Sequence, residues 1–208
     1  MSKPDLDSAY NLQTPEDSKR LYADWADNYD ETFAASSNYR LHIAAAQAFV
    51  AAGGSGPVLD VGAGTGLCGV ALAELGAKPI DATDISPEML DQAALKNIYR
   101  ATILGDLTAT LPMDDNSYNG IVSSGTFTTG HVGPDALGEV LRVARQGAVC
   151  ALSVNAKHYA SAGFQSAFET LSNGAITGLT LLETRIYHTA ATGDHKDDVA
   201  LIACFTKA

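Results

Sequence analysis

Val58-Leu59-Asp60-Val61-Gly62-Ala63-Gly64-Thr65-Gly66-Leu67 reads as an apolar strand, a glycine turn and a helix start. Glycines in such a turn adopt backbone angles closed to other residues and let a ligand approach the main chain. The helix start adds unpaired N–H groups and a positive dipole end. Spacing then separates two ligand classes. A dinucleotide fingerprint, G-x-G-x-x-G, would put its third glycine at position 67; the chain has Leu67 there and its third glycine one place early, at Gly66. Asp84 follows Gly64 by 20 residues, at the carboxyl end of the next apolar run, where a carboxylate can accept both hydroxyls of a ribose. Asp106, in Gly105-Asp106-Leu107, ends the third run on the same edge. With Asp60, two residues before Gly62, they make three acids at one sheet edge, which suit a cationic nucleoside better than a pyrophosphate.

Positioning these residues takes an alternation of strands and helices. The apolar runs Val58–Val61, Pro79–Thr83, Ala101–Leu104, Tyr118–Ser123 and Ala148–Val154 read as strands. Helical stretches fall between and after them, at Leu67–Leu75, Pro87–Lys96, Pro134–Ala144 and near Tyr159–Leu171. That order predicts parallel strands joined by crossover helices. Ser86-Pro87 and Gly133-Pro134 put proline in a helix's first turn, where its missing N–H is harmless. Leu179–Thr189 and Val199–Thr206 are β-rich, with only the polar segment Ala190–Asp198 (containing Gly193) between them, which predicts an antiparallel hairpin at the sheet edge. Ahead of the first strand, Thr14-Pro15-Glu16-Asp17 predicts a capped helix over residues 15–31, and an Ala-rich helix follows over 41–52. Gly53-Gly54-Ser55-Gly56-Pro57 is a hinge. The expected fold is α/β: a mostly parallel seven-stranded sheet with helices on both faces, a C-terminal β-hairpin and an N-terminal helical lid. The lid is residues 1–52, part of the same domain as residues 53–208.

Composition narrows the function. The 208 residues carry 13 Lys and Arg against 24 Asp and Glu, a net charge of −11, which disfavours nucleic acid and anionic membrane as partners. Cys68, Cys150 and Cys204 form no CxxC pair, which fits reduced thiols rather than a disulfide framework or zinc site. Met1–Asp5 lacks the apolar core of a signal peptide, and no stretch approaches the ~20 apolar residues of a membrane span. The expectation is a soluble, cytoplasmic protein.

VLDVGAGTG resembles the first motif of the class I S-adenosylmethionine-dependent methyltransferases, ATDISPEML the second, GDL the third and YNGIVSSGTF the fourth, in that order along the chain. YADWADNYD, NYRLH and SSGTFTTGHVGPDALGEVLRV also look like the Williams–Beuren-region methyltransferase-like group. The resemblance implies a Rossmann-like fold and S-adenosyl-L-methionine as cofactor, with S-adenosyl-L-homocysteine as product. It implies that Gly62 and Gly64 admit the amino-acid end of the cofactor, with Asp60 holding its amino group through water or backbone. Asp84 would bind the ribose, Ile85 and Leu107 would pack on the adenine, and Asp106 would accept from its amino group. Ser123 or Ser124 would present backbone to the methionine part. Tyr22 and Tyr29 would close over the cofactor and Arg40 would pair with its carboxylate.

Other residues have two readings each. Tyr22, Trp25 and Tyr29 share one helix face, which suits plain core packing or cation–π contact with a sulfonium. His131 and His158 follow the fourth and fifth strands and fit either a capping histidine or a general base. His188, Asp194 and His195 lack the spacing of a metal site, so no metal is expected. The turn Ser123-Ser124-Gly125-Thr126-Phe127 is not the Asn/Asp-Pro-Pro-aromatic turn of enzymes that methylate nucleobase or glutamine nitrogens. The acidic composition and short chain favour a small-molecule acceptor, with a non-catalytic cofactor-binding module and a nicotinamide-dependent oxidoreductase as alternatives.

Overall fold

Central strands that turn apolar side chains to both sides need a sheet covered on both faces. The computed structural model, which describes residues 15–35, 37–189, 191 and 195–208, has such a sheet. Its strands are β1 (Val58–Val61), β2 (Ile80–Asp84), β3 (Ala101–Leu104), β4 (Tyr118–Phe127), β5 (Ala144–Asn155), β6 (Ile176–Arg185) and β7 (Val199–Lys207). The Thr14 cap, Gly193 and Asp194 lie outside the described residues. β1 sends Val58 into one core and Leu59 and Val61 into the other; β4 divides Ile121 from Val122 in the same way. The strands are ordered β3-β2-β1-β4-β5-β7-β6. The first five pair in parallel, and β7 runs antiparallel to β5 and β6. This is the mostly parallel sheet with a C-terminal hairpin that the sequence predicts. Chain order reverses direction between β1 and β4, which opens a crevice at their carboxyl ends.

The helices are α1 (Pro15–Trp25), α2 (Leu41–Ala51), α3 (Leu67–Glu74), α4 (Pro87–Leu95), α5 (Leu137–Val143), α6 (Ala156–Ser161) and α7 (Phe164–Leu171). Residues of α2 and α3 build one core, and those of α5 and α7 the other. Ser86 caps α4, its Oγ accepting the Met89 N–H at 3.2 Å with Pro87 in the first turn. Two stretches expected as single helices are broken. The one near Tyr159–Leu171 divides at Gly163, whose φ of +86° is left-handed. The one over 15–31 ends at Trp25 and continues as a 3₁₀ turn (Ala26–Asn28) and a wider π turn (Asp30–Ala35). Side chains explain that change: Trp25 Nε1 donates to Thr32 Oγ1 at 2.8 Å, and that hydroxyl donates to the Asn28 carbonyl at 2.7 Å. Such local bonds compete with the regular helix ladder.

α2 belongs to the layer over the sheet. Its Phe49 is fully buried, and a Cβ on Gly120 of β4 would stand 2.3 Å from the ring. The segment lying over the carboxyl edge is therefore α1 with the turns after it. Its end is stitched to the chain beyond β6: the Arg40 N–H donates to the Ile186 carbonyl and the His188 N–H to the Asn38 carbonyl, both at 2.9 Å.

Candidate functional site

The glycine turn after β1 is held by main chain and one carboxylate. The Gly62 and Ala63 N–H groups donate to the Thr83 carbonyl at 2.9 and 3.0 Å. Gly62 has a φ of +65°, and a Cβ there would lie 2.0 Å from Thr126 Oγ1; Gly64 has a φ of +55° with open space where its Cβ would be. Two independent reasons exclude a side chain at 62, whereas position 64 presents bare main chain to the cleft. Asp84, ending β2, accepts the Gly64 N–H on Oδ2 at 2.8 Å and the Ser86 N–H on Oδ1 at 2.9 Å. Each oxygen keeps a further lone pair for a ligand hydroxyl. Burial pushes the Asp84 carboxyl up, against those N–H donors and that of Ile85.

Asp60 is fully buried behind this turn rather than on the cleft wall. Its Oδ2 accepts the Tyr99 hydroxyl at 2.7 Å, while Oδ1 has no hydrogen bond of good geometry. Burial pushes its carboxyl up to about 7, opposed first by the Tyr99 hydroxyl and more weakly by the Gly69 N–H. Tyr99 reaches it because Gly66 and Gly69 leave room: a Cβ on Gly69 would stand 2.1 Å from the Tyr99 hydroxyl.

Asp106, beyond β3, closes a turn in which its Oδ1 accepts the Thr108 N–H and hydroxyl at 2.8 and 2.7 Å. Ile85, Met89 and Leu107 supply apolar wall nearby. At the end of β4 the pairing with β5 slips between Ser123 and Phe127. Such bulges re-aim side chains next to functional sites. Ser123 points into the sheet and donates to the Val61 carbonyl at 2.8 Å, whereas Ser124, Gly125 and Thr126 line the cleft.

The N-terminal segment supplies the opposite wall. Tyr22, Tyr29 and Tyr39 line the cleft, and burial raises each hydroxyl's pKa. Tyr39 hydrogen-bonds Ser124 Oγ at 3.0 Å. His131 Nδ1 lies 3.1 Å from the Thr129 carbonyl, so Nδ1 carries the proton; Nε2, 3.2 Å from the Tyr22 hydroxyl, accepts from it. Burial lowers the His131 pKa, which keeps that neutral tautomer. Asp30 ties the N-terminal segment to the glycine turn, accepting from Thr65 Oγ1, and to the end of α4, accepting from Lys96 Nζ. His42 lines the cleft with Nδ1 buried and unpartnered, and burial pushes its pKa down to about 4.

The cleft encloses about 1020 Å³ of empty space, counting the part open to solvent. It brings together Tyr22, Tyr29, Gly62, Gly64, Asp84, Ile85, Asp106 and Leu107. Asp60 and Ser123 support it from behind, and the Arg40 side chain is exposed outside it. Of the two histidines, His131 lines it, while His158 places Nε2 3.0 Å from the Val132 carbonyl and packs on the Phe164 ring. Sequence reasoning missed Asp30, Tyr39, His42, Thr65 and Thr126. All five fall within the segments that carry the resemblance, YADWADNYD, NYRLH, VLDVGAGTG and YNGIVSSGTF, yet none was given a role there. Among the described residues no cluster of His, Cys, Asp or Glu is arranged to hold a metal, and no helix is long and apolar enough to cross a membrane.

Residues 58–147 match the family model of a methyltransferase domain. A search of the curated proteins found no match. Among solved structures, a TehB-like SAM-dependent methyltransferase from Corynebacterium glutamicum is 23% identical with a TM-score of 0.60, covering 92% of this chain and 98% of that one. A SAM-dependent methyltransferase from Thermotoga maritima, described as a possible histamine N-methyltransferase, is 15% identical with a TM-score of 0.64, covering 91% and 99%. A chain from the complex of the Haloferax volcanii Trm112 methyltransferase activator is 18% identical with a TM-score of 0.64, covering 90% and 98%. These likenesses establish the shared fold across both halves of the chain.

Proposed function

We propose that this chain, whose residues 58–147 match the family model of a methyltransferase domain, takes a methyl group from S-adenosylmethionine and delivers it to a small-molecule acceptor by direct in-line transfer. The observation that carries the reading is Asp84. It ends β2 at the cleft beside the β1/β4 reversal, locks the glycine turn through Gly64, and keeps lone pairs for a ribose. Three further features fit such a ligand: Gly64 leaves bare main chain where an amino-acid end must approach, His42 Nδ1 is an orphaned polar atom on the wall, and Asp84 and Asp106 suit a cation.

The bound cofactor supplies a methyl group already activated on a sulfonium, so the chain has little covalent work to do. Its residues bind and orient. Asp84 takes the ribose hydroxyls, Ile85 and Leu107 flank the adenine, and Asp106 accepts from its amino group through the oxygen that Thr108 leaves open. Gly62 and Gly64 border the amino-acid end; Asp60 acts on it through the loop it supports, and Ser124 borders the methionine part. Tyr22 and Tyr29 exclude water from above. Alignment of this kind contributes about 7–11 kcal/mol, so no covalent catalyst is needed. The net charge of −11 argues against a polyanionic acceptor.

The test is calorimetric titration with S-adenosylhomocysteine and, separately, NADH. Tight binding of the first and none of the second is the expected result; the reverse would return the chain to the nicotinamide enzymes. Binding of S-adenosylhomocysteine without methyl transfer to any small molecule of a broad metabolite panel would instead favour a non-catalytic module.

A further inference from the structure

Beyond the cleft lies a second chamber of about 580 Å³, again counting space open to solvent. Tyr22, Tyr29, Tyr39, Gly125 and His131 line both, so the two adjoin across these residues. The walls of the chamber are rings: Phe33 lies 5.4 Å from Tyr39 and 6.4 Å from Tyr187, and Tyr39 lies 6.2 Å from Tyr187. Phe127 and Ile186 add apolar surface. No Asp, Glu, Lys or Arg is among its described lining residues. Its polar lining includes Ser153, whose Oγ accepts the Gly125 N–H at 3.0 Å, and Asn155, whose Oδ1 accepts the Lys157 and His158 N–H groups at 3.0 and 3.2 Å. The Asn155 amide N–H₂ and the Ser153 O–H remain as donors.

We infer that this chamber is the acceptor site and that it takes a neutral, mostly aromatic molecule whose hydroxyl meets the Tyr22–His131 pair. The inference rests on the cofactor reading above. A carboxylate or phosphate would lose its hydration in the chamber with no cation to meet it, and an ammonium would find no carboxylate. An ammonium also lacks the lone pair that the reaction needs and would sit beside a sulfonium of like charge. A neutral ring stacks on the aromatic walls, and a second polar group on it meets the Ser153 and Asn155 donors.

The pair also provides for the proton. The acceptor oxygen forms its bond to the methyl carbon as that carbon's bond to the sulfonium sulfur breaks. The electron pair stays on sulfur, which leaves as a neutral thioether. The hydroxyl proton passes to the Tyr22 oxygen as the Tyr22 proton passes to His131 Nε2, and then to solvent.

The experiment uses the full chain saturated with S-adenosylhomocysteine, whose binding is first checked by calorimetry; failure at that step overturns the cofactor reading and this inference with it. Saturation-transfer NMR then compares p-cresol and 2-naphthol with 4-methylbenzoate and 4-methylbenzylammonium. The expected result is that at least one phenol binds tenfold or more tighter than both ions. Ile186→Phe, which fills the chamber, should lower phenol affinity at least tenfold while cofactor affinity stays within twofold. Equal or tighter binding of either ion overturns the inference, as does no binding of either phenol to the cofactor-loaded protein. These comparisons are complete on the unmodified chain if Ile186→Phe fails to fold.

Discussion

The two walls of the cleft are built by different means. On the β1–β2 side the turn is fixed by main-chain bonds to Thr83 and by one carboxylate, all within a short span of sequence. On the lid side it is fixed by rings and hydroxyls drawn from the N-terminal segment, the β4 bulge and the chain beyond β6. The first wall is preformed and has few alternatives. The second is held by long-range side-chain contacts and a few ties, Asp30 to Thr65 and Lys96 among them. A wall of that kind can open to admit ligand without disturbing the first.

The largest expected effect tests whether the walls are separable. Trp25 is buried against Tyr29 and Phe33, at ring distances of 5.2 and 5.5 Å. Trp25→Ala should cost the lid about 3–5 kcal/mol, so hydrogen exchange over residues 22–40 should accelerate while β1, β4 and β5 stay protected. Loss of protection throughout the sheet would mean that the lid is integral to the core.

Next comes a contrast within the rigid wall. Gly62→Ala should cost about 1–3 kcal/mol of backbone strain and a similar amount again from the contact with Thr126. Gly64→Ala meets open space and should carry the strain alone. Chemical denaturation reads both, and equal losses would contradict the distinction. Asp84→Ala should then weaken S-adenosylhomocysteine binding by on the order of 1–3 kcal/mol, through the lost acceptor and the released Gly64 N–H. Unchanged affinity in the calorimeter would remove Asp84 from the site.

A smaller effect concerns Asp60. Its folded pKa of about 7 lies above the ordinary value of 3.8, so between those values the folded state binds more protons than the unfolded one. Stability contributed by the buried, protonated carboxyl is complete at low pH and lost as pH rises through about 7. Asp60→Asn should remove this loss, so its stability relative to the parent should rise from pH 4 to pH 8. A pH-independent difference would refute the assignment. Smallest of all, Arg40→Ala changes an exposed side chain and should move stability by less than about 0.5 kcal/mol, with cofactor affinity within twofold.

The same contrast explains what could be read from sequence. Glycines with positive φ, a proline after a serine cap and two-faced apolar strands leave local marks, so the β1 turn, the place of Asp84 at the end of β2 and the alternation of parallel strands with helices were legible. The terminal hairpin was legible because no helix fits between its strands. The lid left weaker marks. Its aromatic spacing suggested one regular helix, whereas Trp25 and Thr32 bond across the turn and change the winding. Tyr39 meets Ser124 from 85 residues away, and nothing local marks such a pair. Ser123 and Ser124 differ by one position, and the bulge that decides which lines the cleft is a property of two strands together. Arg40 immediately precedes α2 and His42 lies in its first turn, yet only His42 lines the cleft.

The central claim is that the carboxyl edge of β1, β2 and β3, closed by the lid, holds the sulfur nucleoside. Hydrogen exchange of the full chain with and without saturating S-adenosylhomocysteine tests it most directly. The account predicts new protection over residues 62–66, 84–86 and 105–108 and across the lid at 22–39. Protection confined elsewhere, or none at saturation, would contradict it.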